Sequence, residues 1–215
     1  MWGCLKPLFG FFTVFPAPAR LDFTCVWALP YVVAPVVAAP AAALIHLGVS
    51  PYVAYAVLLL TTGLHHLDGL ADVADALMVR DRERARAVLE DPRKGTGGVF
   101  AVVVSFLVAS SSVHAPLQLV AAEVFSKAIT VVAAAFSRPF KPGLGEAFIY
   151  ASRRKWPLVV PALAVTVWLS PMSLVAAVLA ILFFYVAYRH LGGANGDVFG
   201  YMLELSRMSY LWLSF

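Results

Sequence analysis

Residues 63–76 read Gly-Leu-His-His-Leu-Asp-Gly-Leu-Ala-Asp-Val-Ala-Asp-Ala and place three aspartates at the end of an apolar segment. Asp68, Asp72 and Asp75 follow the spacing i, i+4, i+7, so on a helix all three lie on one face. Three like charges on one face repel each other, and beside a bilayer each also carries a desolvation cost. Carboxylate oxygens are the ligands that Mg²⁺ prefers, so the spacing predicts a divalent-cation site. The alternative is a solvated helix end.

Small side chains and a histidine accompany these aspartates. Gly69 and Ala71 permit close approach by another helix or by a phosphate group. His66 precedes Asp68 by two residues and is a candidate base, the alternative being a hydrated interfacial histidine. His65 is expected to be structural.

The composition predicts an integral membrane protein. Of the 215 residues, 61% are hydrophobic and 13% are charged, whereas soluble domains have roughly 45–50% apolar and about 25% charged residues. No cleavable signal peptide is apparent. Cys4 and Cys25 are too few for a disulfide framework and are expected to be inert thiols. Nothing in the pattern of basic and aromatic residues indicates nucleic-acid binding.

The apolar segments predict an all-α, polytopic bundle of about six to seven spans within a single domain, 1–215. The predicted spans are residues 27–47, 51–64 with its helix continuing to 79, 97–113, 115–137, 156–169, 171–188 and 198–215. Glu204 and Arg207 interrupt the last of these, so six spans is the main alternative. Residues 1–26 are expected to form an N-terminal interfacial segment, bent away by Pro16 and Pro18.

The basic residues predict the orientation in the cell membrane. Lys6 and Arg20 precede the first span, and most of the others fill the loops around residues 80–94 and 138–155. The intervening turns at 46–51, 114–116 and 170–171 carry none. The positive-inside rule then places the N-terminus and the long loops in the cytoplasm. The aspartates therefore emerge at the cytoplasmic face, where we expect the active site.

A second polar cluster, Glu-Asp-Pro-Arg-Lys-Gly-Thr-Gly-Gly at 90–98, enters the third span from that face. Its glycines begin a helix, where free amides and the positive end of the helix dipole suit an anion. The cluster therefore predicts phosphate binding by Arg93, Lys94, Gly95, Thr96 and Gly97. A glycine turn with topology-setting charges is the alternative, but it leaves Asp91 unexplained.

Three further polar groups are candidates. Glu123 and Lys127, spaced i, i+4 inside a span, are best explained as a local salt bridge. Arg138 ends the fourth span as either a phosphate ligand or a topology anchor. Asp197 either caps the last helix or, with Asn195, supplies oxygen ligands. Together these clusters favour Mg²⁺-assisted displacement at a diphosphate.

Taken together, these motifs resemble the cobalamin-5′-phosphate synthase family, the adenosylcobinamide-GDP ribazoletransferases. The aspartate stretch 66–75 is similar to the signature of that family, and weaker similarities occur in the expected order at 12–16, 90–99, 136–138 and 193–200. Val14, Ala76, Pro92, Lys94 and Asn195 depart from its usual residues. At Val14 the family usually has arginine, so any phosphate contact there is lost or supplied by Arg20.

The resemblance implies a multipass membrane enzyme that needs Mg²⁺ and works on small molecules at the lipid bilayer. Such enzymes join adenosylcobinamide-GDP to α-ribazole, or to its 5′-phosphate, and release GMP. It also implies roles for particular residues: Asp68, Asp72 and Asp75 hold the metal, with Asp91 and Asp197 as further ligands, and Arg93, Arg138 and residues 95–98 contact the diphosphate. His66 or a spare carboxylate takes the proton from the attacking hydroxyl. The oligomeric state stays open.

Two other membrane transferases share parts of the pattern. Aromatic prenyltransferases hold Mg²⁺-diphosphate with Asp-x-x-x-Asp, but they use two such motifs and this chain has one. CDP-alcohol phosphatidyltransferases share the Asp-Gly pair but expect arginine where this chain has Asp72. A transporter would place its acidic residues near the bilayer centre, at broken helices.

Overall fold

The computed structural model describes residues 2–15 and 22–214, and the secondary structure of this part of the chain consists of helices joined by turns and loops, with one isolated bridge between Pro139 and Ala194. The predictions for Pro16, Pro18 and Arg20 lie outside the described residues. The α-helices are α1 (Trp2–Phe12), α2 (Ala34–His46), α3 (Pro51–Thr61), α4 (His65–Leu77), α5 (Arg82–Val88), α6 (Thr96–Ser111), α7 (Pro116–Ala135), α8 (Leu144–Ser152), α9 (Val160–Leu169), α10 (Ser173–Leu191) and α11 (Gly196–Leu213). A short 3₁₀ and π-helical stretch, Val26–Ala28 and Leu29–Val33, leads into α2.

Among the described residues, three helical segments are long and apolar enough to cross a bilayer: Val26–His46, Pro116–Ala135 and Ser173–Leu191. Four further apolar helices are shorter, at Gly3–Phe12, Pro51–Thr61, Thr96–Ser111 and Trp156–Leu169. The predicted seven spans therefore agree only roughly with the structure, although most boundaries lie within a few residues. The last predicted span differs in character, because α11 packs against α4, α7 and α10 and forms the centre of the bundle.

The second predicted span is not one continuous helix to residue 79, and that prediction is wrong. α3 ends at Thr61, and Gly63 and Leu64 both have left-handed backbone conformations, with φ of 76° and 63°. Left-handed residues end a helix, and glycine adopts this conformation without steric cost. α4 therefore starts afresh at His65, and this break sets the direction of the helix that carries the aspartates.

The two cysteines are not free thiols, which corrects the expectation from the sequence. Cys4 and Cys25 form a disulfide with their Cα atoms 5.6 Å apart, within the normal range for such a bond. The bond joins α1 to the residues that precede the first long apolar segment. α1 also packs Leu8 and Phe12 into the core, so this helix is part of the bundle.

Two of the basic loop residues have a structural role beyond setting topology. Arg82 Nε donates to the carbonyl of His190 at 3.0 Å, and Arg86 Nε donates to that of Leu191 at 2.8 Å. Cations near a helix C-terminus satisfy its unpaired carbonyl groups and its dipole. α5 thereby caps α10, which holds the 80–94 loop next to the start of α11.

Candidate active site

Asp68 and Asp72 form a carboxylate pair on α4 that shares one cation, the ammonium of Lys94. Lys94 Nζ lies 2.7 Å from Asp68 Oδ1 and also forms an ion pair with Asp72 Oδ1. Asp68 is largely exposed, whereas the Asp72 side chain is 9% exposed. Partial burial lowers the pKa of Lys94, but hydrogen bonds to the two aspartates outweigh it and raise that pKa above its usual value. Lys94, predicted to bind substrate, instead binds the predicted metal ligands.

Asp75 binds backbone amides, whereas Asp68 and Asp72 bind the Lys94 ammonium. Its carboxylate accepts hydrogen bonds from the backbone amides of Gly95 at 2.6 Å and Gly98 at 2.8 Å. It therefore caps the N-terminus of α6, where an acidic group is favourable for the helix dipole. The Gly95 and Gly98 amides, predicted from the sequence to contact a substrate phosphate, are bound in this structure by the Asp75 carboxylate. The anion at this turn is therefore a side chain of the protein itself.

Within residues 2–15 and 22–214, no three acidic, histidine or cysteine side chains are grouped so as to hold a metal ion. The expected cluster of Asp68, Asp72 and Asp75 is therefore not preformed. What the structure does offer is the carboxylate pair around the Lys94 ammonium, which marks a position where positive charge is stabilised. Hard oxygen donors suit Mg²⁺, so the pair fits such an ion in the place of the ammonium.

Asp197 is the acidic side chain that the fold brings to this pair. It interacts electrostatically with both Asp68 and Asp72 and lines a cavity together with Asp68. Gly69 makes the approach possible: a Cβ at this position would lie 2.7 Å from the carbonyl oxygen of Asp197. Gly69, predicted to permit close approach by a helix or a phosphate, therefore permits close approach by α11.

The contact between α4 and α6 depends on Gly98 in the same way. A Cβ at Gly98 would lie 2.7 Å from the carbonyl oxygen of Ala71 and 2.6 Å from Asp75 Oδ2. A Cβ at Gly97 would be less crowded, because its nearest atom is Cγ of the flexible Met78 side chain at 3.0 Å, followed by Asp75 Oδ1 at 3.2 Å.

We therefore expect Gly98→Ala to lower stability by about 1–3 kcal/mol through overpacking, and Gly97→Ala to cost less. Thermal unfolding of both variants in detergent checks the difference. Equal midpoints for the two variants would contradict the role assigned to the Asp75 cap.

Asn195, rather than Asp197, caps α11. Its side-chain oxygen accepts from the backbone amide of Val198 at 3.1 Å, and its Nδ2 donates to Asp197 Oδ2 at 2.6 Å. The prediction that Asp197 could cap this helix is corrected accordingly. Asn195 holds the Asp197 carboxylate in place and is 4% exposed, so its predicted contact with substrate is not evident.

The remaining loop residues make contacts other than with the carboxylate pair. Arg93 binds Asp91 through both Nε, at 2.9 Å, and Nη2, at 2.7 Å. This bonding lowers the pKa of the Asp91 carboxyl to about 2 and occupies the guanidinium fork expected to bind phosphate. Arg138 is exposed, and its carbonyl oxygen accepts from the Ala194 amide at 2.9 Å. Thr96 is the first residue of α6.

His66 is 5% exposed and lines the same cavity as Asp68 and Asp197. Its Nδ1 is buried and has no hydrogen-bond partner in the structure. An unpartnered buried nitrogen is costly and therefore uncommon in folded proteins. His65, expected to be structural, also lines the cavity and is exposed.

Sequence reasoning missed a buried charge network beneath this site. Glu123 pairs with Lys127, as predicted, and also with Arg207 of α11, which in turn binds Glu204 at 2.7 Å. All four side chains are at most 1% exposed. The network is near His66, which interacts electrostatically with Lys127, Arg207 and Glu123. The presence of Glu204 and Arg207 in one apolar segment was the available signal, and it was interpreted as a break in a span.

A family model described as cobalamin-5-phosphate synthase matches residues 5–215. The chain belongs to this family. A relative named adenosylcobinamide-GDP ribazoletransferase from Pyrobaculum calidifontis is 66% identical over 97% of this chain and 97% of its own length. A relative of the same name from Pyrobaculum aerophilum is 57% identical over 99% of this chain and 96% of its own length. Another, from Thermoplasma acidophilum, is 32% identical over 98% of this chain and 90% of its own length.

The match extends over all the elements that build the site, from α1 through α11, and family membership makes the protein an enzyme. The resemblance inferred from the aspartate motif is thus confirmed. No solved structure matches the chain.

Proposed function

We propose that the protein transfers the phosphate-linked cobinamide of adenosylcobinamide-GDP to α-ribazole, or to α-ribazole 5′-phosphate, with Mg²⁺. The observation that carries this proposal is the pair Asp68 and Asp72, which holds a cation at the end of a cavity in a chain of this family. Relatives from two Pyrobaculum species are named for the same activity.

Asp68 and Asp72 are the residues that would hold Mg²⁺, with Asp197 beside them. When bound, the ion neutralises diphosphate charge and stabilises the departing phosphate. The Lys94 ammonium, which lies beside the pair, would then be available to the diphosphate oxygens. Asp75 acts indirectly, because its cap on α6 fixes the loop that carries Lys94.

In the transfer itself, a ribose hydroxyl oxygen of α-ribazole bonds to the phosphorus attached to cobinamide. The bond from that phosphorus to the bridging oxygen breaks, and GMP leaves with the bridging oxygen and its electron pair. The hydroxyl proton passes to His66 or to the Asp197 carboxylate, both of which line the cavity that opens at Asp68. Solvent reprotonates the departing GMP.

The orientation is part of the proposal. Arg82 and Arg86, like the other clustered basic residues, lie in the loops that would face the cytoplasm in a multipass protein of the cell membrane. The carboxylate pair is at the same end of the bundle as these loops, since Lys94 connects the two. Nucleotide substrates made in the cytoplasm would then reach the site without crossing the lipid.

A substrate panel tests the proposal. Purified protein in detergent or liposomes is given Mg²⁺ and adenosylcobinamide-GDP with α-ribazole, a prenyl diphosphate with an aromatic acceptor, or a CDP-alcohol with its acceptor. We expect GMP and cobalamin from the first mixture and no product from the other two. Turnover of a prenyl diphosphate or of a CDP-alcohol in place of the first mixture would contradict the proposal.

A further inference from the structure

A cavity of about 380 Å³ leads from the protein surface to the carboxylate pair, between α1, α4, α8 and α11. Its volume lies in the range of small-molecule sites, roughly 300–1,000 Å³. The lining has a polar end, with Asp68, Asp197 and His66, and a phenylalanine end, and the two meet where the Phe12 ring lies 5.6 Å from the His66 ring.

The phenylalanine end is a connected group of rings from separate elements. The Phe148 ring lies 5.5 Å from that of Phe23 and 5.3 Å from that of Phe199, and Phe12 is 6.3 Å from Phe148, all measured between centroids. Phe11 lies 5.7 Å from Phe23 and completes the wall. Aromatic side chains favour flat apolar ligands through stacked or edge-to-face contacts.

The polar end offers carboxylates to a bound molecule. Asp68 and Asp197 line it together with His66, which is 5% exposed. The Nδ1 atom of His66 is buried away from the cavity, so the groups that can meet the ribose hydroxyls of a ligand at this end are the two carboxylates.

The two substrates of the proposed reaction differ sharply in how they fit this cavity. The corrin macrocycle is too large for 380 Å³. Guanine has polar edges that phenylalanine side chains cannot satisfy. The base of α-ribazole is a flat benzimidazole with one bare ring nitrogen and no N–H group, so it needs little hydrogen bonding.

We infer that this cavity binds the benzimidazole base of α-ribazole among Phe12, Phe23, Phe148 and Phe199 and directs its ribose toward Asp68 and His66. The inference rests on the proposed function and assigns the acceptor site within it. The cobinamide-GDP diphosphate then approaches the carboxylate pair from the exposed side of Asp68.

The test compares the Michaelis constants of the two substrates in variants that reshape the cavity. Leu144 lines the cavity and is 50% exposed, so Leu144→Trp adds bulk to the lining at a position that is not tightly packed. Phe148→Leu removes the central ring. Leu117→Trp is the matched control, because Leu117 is 56% exposed at the start of α7 and does not line the cavity.

We expect the KM for α-ribazole to rise by about tenfold in Leu144→Trp and Phe148→Leu, while the KM for adenosylcobinamide-GDP stays within about twofold. The dissociation constant of α-ribazole, measured without the second substrate, should rise in parallel. Leu117→Trp should match the wild type in both constants.

Equal rises in both KM values, or no rise in either, would overturn the inference. It would also be overturned if lipid or detergent abolished α-ribazole binding while Leu144→Trp left that binding unchanged. Failure of the proposed function gives a different result. If the wild-type protein binds α-ribazole and Leu144→Trp weakens that binding, but no cobalamin forms, the proposed reaction is refuted while the assignment of the cavity to α-ribazole stands. If Phe148→Leu does not fold, Leu144→Trp still decides.

Discussion

Asp72→Asn should lower the turnover of adenosylcobinamide-GDP by ~10²–10³-fold, which is the usual cost of removing one preorganised charge-stabilising group. The Asp72 side chain is nearly buried and bound to Lys94. Asparagine has the same shape and keeps an oxygen that accepts from that ammonium, but it lacks the charge that a cation needs. Folding and membrane insertion should therefore survive, and GMP release measures the loss.

Asp81→Asn is the matched control for this substitution. The Asp81 carboxylate caps α5 by accepting from the Arg84 amide at 2.9 Å, and asparagine caps helices equally well. We expect Asp81→Asn to retain wild-type turnover. An Asp72→Asn protein that inserts normally and turns over at the rate of this control would contradict the assignment of Asp72 to the site.

Arg207→Met should destabilise the bundle more than any other substitution considered, by about 3–5 kcal/mol, because it removes one partner from a buried charge network. Glu123 keeps Lys127 as its partner, but Glu204 loses its ion pair while remaining fully buried. A fall in the thermal unfolding midpoint in detergent checks the prediction.

The charge balance of the network supplies a rescue experiment. In the double variant Glu204→Gln/Arg207→Met no buried charge is left unpaired, since Glu123 and Lys127 still neutralise each other. Replacing buried ion pairs by neutral groups is often tolerated. The double variant should therefore unfold at a higher temperature than Arg207→Met alone. A double variant less stable than the single one would show that the network is not held by charge pairing.

The sequence predicted the fold class and most helix boundaries because apolar length and the placement of basic residues are local properties. It could not predict the break at Gly63 and Leu64, since a leucine with φ of 63° is set by packing and not by its own preference. The disulfide was missed for a similar reason: Cys4 and Cys25 are 21 residues apart, and only the fold brings them together.

The sequence predicted that the aspartates share one helix face, but not which groups each of them contacts. Helical spacing correctly puts Asp68 and Asp72 on one face of α4, and the third aspartate follows the same spacing. Whether a carboxylate binds a cation or caps a neighbouring helix depends on what packs beside it. Asp75 meets the first turn of α6, whereas Asp68 and Asp72 meet Lys94. The ion pair between Glu123 and Arg207 joins residues that are 84 positions apart in the sequence, so no local pattern could predict it.

The central claim is that the side chain at position 72 binds the divalent ion that supports turnover. Asp72→Cys tests it directly, because a thiolate prefers soft ions such as Cd²⁺, whereas a carboxylate prefers Mg²⁺. Asp72→Ser, which offers no thiolate, is the control. We expect Asp72→Cys to be inactive with Mg²⁺ and to recover GMP release with Cd²⁺, whereas Asp72→Ser should release no GMP with either ion. Unchanged Mg²⁺-supported turnover in Asp72→Cys, or the same Cd²⁺ response in both variants, would contradict it.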